Sequence, residues 1–251
     1  MTKLTVSFRL SVRSNKIDMK LVIMQPYFMP YIGYWQLLNA ADKFIIYDDV
    51  NYIKQGWINR NRLLINKSPS FMTIPLSNAS PFKKINTIEI SDNNWREKML
   101  QTIKNTYSRS EYYSEVFPII ERIILFPSNN LAVFVRNSIF EVAQLLDVKT
   151  EIINSSSVYG NEALTAQDRV LDICKKELAD TYINAPGGRE LYSFSDFSDS
   201  KIQLNFISCK ISEYKQGGGE FVPYLSIIDQ FMYAGVDAVK SHLNNYSLEN
   251  S

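Results

Sequence analysis

Apolar residues in the first third of this chain fall in short unbroken runs. Residues 21–24 (LVIM) form one, and residues 43–47 (KFIIY), β-branched and aromatic, form another. Runs of that length predict buried strands. Between them Gln25-Pro26 stops the first run, Pro30 and Gly33 shape a loop, and residues 34–41 have helical spacing. Strand, tight loop, helix and strand is the βαβ order. Residues 71–76 and 85–90 read as two short strands across a turn-rich connection, and residues 95–107 repeat with helical period. The helical pattern of residues 112–146 breaks at 126–129, which predicts two packed helices. Residues 151–153, 182–184 and 204–208 are three further strands. Thr165 with Asp168, and Ser226 with Asp229, have capping-box spacing, the first opening a helix to Leu178 and the second a short helix ending near Gly235. The pattern predicts an α/β fold: a mixed, partly parallel sheet with flanking helices and a helical insertion at about residues 95–146.

Composition narrows the function. A net charge of +1 with 21% charged residues gives no basic excess that would favour nucleic acid or an anionic membrane as partner. No stretch approaches the roughly 18 apolar residues of a bilayer span. Two cysteines, Cys174 and Cys209, make neither a disulfide framework nor a metal spacing, which fits a cytoplasmic protein. Residues 1–18 carry spaced charges without apolar periodicity and are expected to be a disordered extension, with Met19 as the working start of one α/β domain over residues 19–251. The single histidine, His242, is expected on a solvent-exposed helix. Its isolation removes Ser-His-Asp and Cys-His catalysis and leaves no expected metal ligand set. There is no P-loop and no GxGxxG.

Polar residues crowd the ends of the first two strands, where α/β enzymes place ligands. Gln25 follows the first, and Asp48 and Asp49 the second, so these three are the candidate catalytic residues; adjacent acids on a strand end diverge, and one of them faces a given cleft. Tyr27 and Tyr31 stand in the loop before the first helix as candidate binding residues. In the run WINRNR, an extended chain would put Trp57, Asn59 and Asn61 on one face and Ile58, Arg60 and Arg62 on the other. An indole stacks on a sugar or base, amides bond hydroxyls, and an arginine fork matches phosphate, so Trp57, Asn59, Arg60 and Asn61 join the candidate site. Set against this is a solvated strand with arginine stems over the core edge. Arg169, beside an acid placed for capping, is a further anion-binding candidate. Tyr214 and Gln216 flank Gly217-Gly218-Gly219, read as a loop that closes over ligand, with a plain surface turn as the bland alternative.

The chain resembles the WbqC-like family of bacterial proteins, which tend to be encoded beside surface-polysaccharide and amino-sugar genes. The resemblance rests on Gln25-Pro26-Tyr27, Pro30-Tyr31-Ile32-Gly33-Tyr34, Tyr47-Asp48-Asp49-Val50 and Trp57-Ile58-Asn59-Arg60-Asn61-Arg62. It continues through Asp168-Arg169, Ala185-Pro186-Gly187-Gly188, Glu213-Tyr214-Lys215-Gln216 and the run from Phe221 to Asp229. Some members carry His where this chain has Met24, so a mechanism resting on that His does not transfer. The resemblance implies an enzyme of O-antigen or related surface-glycan synthesis acting on a nucleotide-linked amino sugar. The expected reaction is N-acyl transfer to the sugar amine, which needs one proton acceptor and oriented donors for the oxyanion and suits a site without His or Cys. The acyl donor is not written in the sequence. The alternatives are a nucleotidyl or phosphoryl transferase in which Asp48 or Asp49 holds Mg²⁺, and a noncatalytic glycan-binding or scaffold protein.

Overall fold

The structure is a computed structural model that describes residues 18–250. The expectation of a disordered extension lies outside the described residues apart from Asp18, whose carboxylate accepts a 3.2 Å hydrogen bond from Thr181 Oγ1. From β1 (Lys20–Met24) the chain passes through α1 (Ile32–Asn39) into β2 (Lys43–Ile46). A hairpin of β3 (Arg60–Ile65) and β4 (Ser68–Thr73) and a short pair, β5 (Leu76–Ser77) and β6 (Glu89–Ile90), lie off the main sheet. Three helices follow, α2 (Trp95–Tyr107), α3 (Tyr113–Ile124) and α4 (Leu131–Leu145). The chain returns through β7 (Glu151–Ile153), α5 (Ala166–Lys176), β8 (Thr181–Asn184), α6 (Phe194–Asp199) and β9 (Gln203–Cys209), then adds α7 (Ile227–His242) and β10 (Tyr246–Asn250).

The main sheet has the order β10-β9-β8-β1-β2-β7, parallel throughout except for β10, which runs antiparallel to β9. Both faces are covered, which is why β1 reads as an unbroken apolar run. Val22, Phe44, Ile46, Ile183 and Ile207 pack toward α1, α4 and α7. Leu21, Ile23, Ile45, Tyr182 and Phe206 pack toward α5 and α6. From β1 the chain builds outward to β2 and β7 in one direction, and β8 and β9 lie in the other. That reversal between β1 and β8 is the topological switch point, where the loops leaving two neighbouring strands diverge and open a crevice at their carboxyl ends.

Several local expectations are corrected. The β3–β4 hairpin turns at Asn66 and Lys67, both at positive φ (49° and 63°) without glycine, so the sequence carried no turn signal there. Residues 85–87 are a 3₁₀ turn, which leaves only Glu89–Ile90 as strand. Thr165 occupies the N-cap of α5 but makes no side-chain capping bond. Ser226 does cap α7, yet Asp229 is no capping-box partner, because its carboxylate is taken by the hydroxyls of Tyr107 and Tyr214. α7 continues past Gly235, which absorbs a kink at φ 80°, to His242, and His242 is half-buried with Nδ1 3.3 Å from Gln230 Nε2. Among the described residues no helix is long and apolar enough to cross a membrane.

Candidate functional site

The loop after β1 is held in an unusual shape by distant parts of the chain. Met29 is fully buried at φ 43°, a conformation that disfavours a side chain. Its carbonyl accepts from Asn61 Nδ2 at 2.9 Å and from Ser226 Oγ at 2.7 Å, and the carbonyl of Phe28 accepts from Asn61 Nδ2 at 3.0 Å. Trp35 Nε1 and the Ile227 N–H both donate to the carbonyl of Pro30, while the Phe28 N–H donates to that of Trp57. β3, the start of α7 and the residues before β3 thus clamp one loop. The clamp turns Tyr27 and Tyr31 into the switch-point crevice beside Trp57, which is 38% exposed.

The crevice has two neighbouring chambers that share Tyr27, Tyr31 and Trp57 as lining residues. One, of about 360 Å³, lies between the loops after β1 and β8 and is lined by Met24, Leu37, Ala185, Pro186, Ile207 and Cys209. The other, of about 250 Å³, is lined by Pro30, Asn61, Arg62 and Tyr224. Arg62 is the cation of the site. Its guanidinium lies 5.7 Å from the centroid of the Trp57 ring, and Nη2 donates a long 3.3 Å bond to the carbonyl of Tyr224. Its Nε is buried with no partner, and no carboxylate pairs with it among the described residues. Tyr224 itself sits at φ 60° with its ring edge-on to Tyr31 at 5.5 Å. Burial pushes the Tyr27 phenol up, Tyr31 up to about 12 and the Cys209 thiol up to about 11. Near neutral pH all three are therefore protonated, and the tyrosines can act as hydrogen-bond donors.

The paired acids lie on the other side of β1. Asp48 accepts a 2.6 Å bond from Ser155 Oγ, and burial, outweighing that bond, raises its pKa. Asp49 accepts from Ser156 Oγ and forms a buried ion pair with Arg169. Arg169 Nε also donates to Asn161 Oδ1 at 3.0 Å, and its guanidinium stands 5.1 Å from the Tyr47 ring centroid. The cluster ties the end of β2 to the turn after β7 and to α5. Gln25 follows β1 directly; its carbonyl accepts from the Tyr34 hydroxyl at 3.1 Å.

The two-face reading of the WINRNR run is corrected because β3 begins only at Arg60, so Trp57 lies before the alternation starts. Asn59 and Asn61 point inward. Asn59 accepts from the Tyr52 hydroxyl at 2.8 Å and donates to the carbonyl of Ile74 at 2.9 Å. Arg60 folds back on its own turn, donating to the carbonyls of Gly56 and Gln55, and stacks 4.3 Å from the Phe71 centroid. Of the residues singled out from sequence, the crevice brings together Tyr27, Tyr31, Trp57 and Asn61. Arg62, Tyr224 and Cys209 complete it. Arg62 stood in the same motif as Arg60, with the same parity, and only the three-dimensional course of the turn separates the two.

Tyr214 and Gln216 belong to a different cluster. Fully buried Asp229 accepts from Tyr107 at 2.8 Å, Tyr214 at 2.8 Å and Gln216 Nε2 at 3.3 Å. Burial nonetheless raises its pKa. Gln216 also bridges to Val222 in both directions, at 2.9 and 2.8 Å, so the loop between them is clamped. Gly217, Gly218 and Gly219 have φ of 47°, 95° and 113°, and a Cβ on Gly217 would stand 2.5 Å from the Tyr233 hydroxyl. The triplet therefore has a static reason to be glycine, which favours the surface-turn alternative over the closing loop.

Among the described residues no group of three His, Cys, Asp or Glu side chains is placed to hold a metal ion. No solved structure matches the chain. A Mycobacterium tuberculosis protein described only as uncharacterized protein Rv1507c is 27% identical over 222 residues, covering 87% of this chain and 95% of its own length. The model of the WbqC-like protein family matches residues 25–241, a span that takes in the clamped loop, the crevice and both polar clusters, and this chain belongs to that family.

Proposed function

We propose that the protein acts in surface-glycan biosynthesis and binds a nucleotide-linked amino sugar in the switch-point crevice. The observation that carries this reading is Arg62, a cation with an unpartnered Nε and no carboxylate partner among the described residues, set between aromatic rings. Phosphate matches a guanidinium, and Trp57 with Tyr27 and Tyr31 offers stacking surface to sugar or base. Asn61, committed to the loop, shapes the chamber through its amide.

The proposed reaction is N-acyl transfer. The sugar amine attacks the acyl carbonyl, a C–N bond forms, the bond to the leaving group breaks, and the amine proton passes to water. Among the described residues no carboxylate lines either chamber, and Asp48 lies beyond β1 bonded to Ser155, so water entering the crevice is the proposed acceptor. The protonated hydroxyls of Tyr27 and Tyr31, which line both chambers, are the proposed donors to the acyl oxygen. UDP-glucosamine is a suitable probe. Its binding should quench the fluorescence of Trp57, the one exposed indole, and with an acyl thioester it should gain the mass of the acyl group. Quenching without mass gain would identify a glycan-binding protein, and no quenching would end the sugar-nucleotide reading.

A further inference from the structure

The two chambers differ in a way that the sugar-nucleotide reading does not use. The chamber around Arg62 offers one cation, its guanidinium, held by a single long bond to the Tyr224 carbonyl. The chamber between the β1 and β8 loops offers none. Apart from the shared aromatic walls, it is lined by Met24, Leu37, Ile207, Ala185, Pro186, the protonated Cys209 thiol and Tyr34, whose hydroxyl already donates to the Gln25 carbonyl, so among the described residues the lining offers a ligand no free charge. Gly33 and Gly187 leave part of the remaining wall without side chains.

Burying a phosphate against that lining would strip its water without replacing the lost hydrogen bonds, whereas an alkyl group displaces water favourably. Tyr27, Tyr31 and Trp57 line both chambers, so the two lie side by side and a ligand that reaches past these rings would occupy both. From this contrast we infer that the crevice takes an amphipathic ligand, with its anionic end on Arg62 and a short alkyl or acyl arm beside Cys209. This rests on reading the crevice as the substrate site and adds the chemistry of its second half. The arm can arrive on the sugar nitrogen, as in the acylated product, or on the acyl donor. The chemistry required of the chamber is the same.

Cys209 reports on the arm directly. Cys174 is fully buried, so N-ethylmaleimide added to the native chain reads Cys209 alone. UDP-glucosamine, UDP-N-acetylglucosamine and UDP-N-butanoylglucosamine differ only in the arm. The expected result is that all three quench Trp57, that only the acylated pair slows alkylation, and that affinity rises about fourfold per added methylene. Quenching by all three with identical alkylation rates would overturn the acyl-arm assignment and leave the sugar reading standing. If none quenches Trp57, the sugar reading fails and butanoyl-coenzyme A against coenzyme A decides the chamber. Slower alkylation with the acylated form supports the inference, and equal rates refute it.

Discussion

The two sides of β1 use similar residues for opposite ends. Toward β2 and β7, Asp49 and Arg169 are buried and bonded to each other, and Ser156 and Asn161 take up further capacity. Toward β8 and β3, Arg62 has a buried unpartnered nitrogen, a long bond to a backbone carbonyl and no acid. A buried charge must be compensated, and one that the fold has already compensated has little left to offer a ligand. Unspent hydrogen-bonding capacity beside a cavity is thus the better pointer to a binding site than charge itself.

The sharpest test of that contrast is Arg169→Ala. Removing one partner leaves Asp49 buried and uncompensated, and the expected loss is about 3–5 kcal/mol in urea unfolding. A loss below about 1 kcal/mol would show that the pair is not structural. Arg62→Ala should behave in the opposite manner, with binding of UDP-glucosamine weakened by about 1.5–3 kcal/mol in calorimetry. Its unfolding free energy should fall by less than about 1 kcal/mol, because no ion pair among the described residues is broken and only one long bond to a carbonyl is lost. Lowered stability with unchanged affinity would erase the difference between the two arginines.

The smallest effect concerns Asp48. Its pKa is raised by burial, so the folded protein keeps that proton to a higher pH than the unfolded chain does. The contribution to stability is complete below the ordinary carboxylate value of 3.8 and declines as pH rises through the folded value. An Asp48→Asn variant has no ionisable group at this position, so its melting temperature minus that of the parent should increase over this window and then level off. A difference that is flat across the acid range would mean that Asp48 ionises as freely in the fold as outside it.

Much of the sheet was legible because four of its strands are covered on both faces or nearly so, and their apolar runs stand out against Gln25-Pro26, Asp48-Asp49 and Pro186-Gly187. α2 was legible to the residue, since Trp95, Met99, Ile103 and Tyr107 recur along one buried face. β10 was not, because at the sheet edge its pattern is mostly polar and half-exposed. In the site, residue type pointed to the aromatic walls. It could not tell Arg62 from Arg60, or show that the amides of Asn59 and Asn61 turn inward, because those outcomes depend on where β3 begins. Nor could spacing show that Tyr214 and Gln216 would meet Asp229, since α7 supplies that acceptor only when folded against α2.

The strained carbonyl of Met29 also bears on how the crevice comes into being. Its two donors, Asn61 and Ser226, lie 32 and 197 positions away along the chain. Those separations make the crevice a late product of folding, because loop closure over the longer one is slow and must precede any local gain. Fragments that end before α7 would lack half of the clamp however well the early strands pair. A ligand that fits therefore recognises the finished topology, and its binding energy is returned to the whole fold as resistance to unfolding.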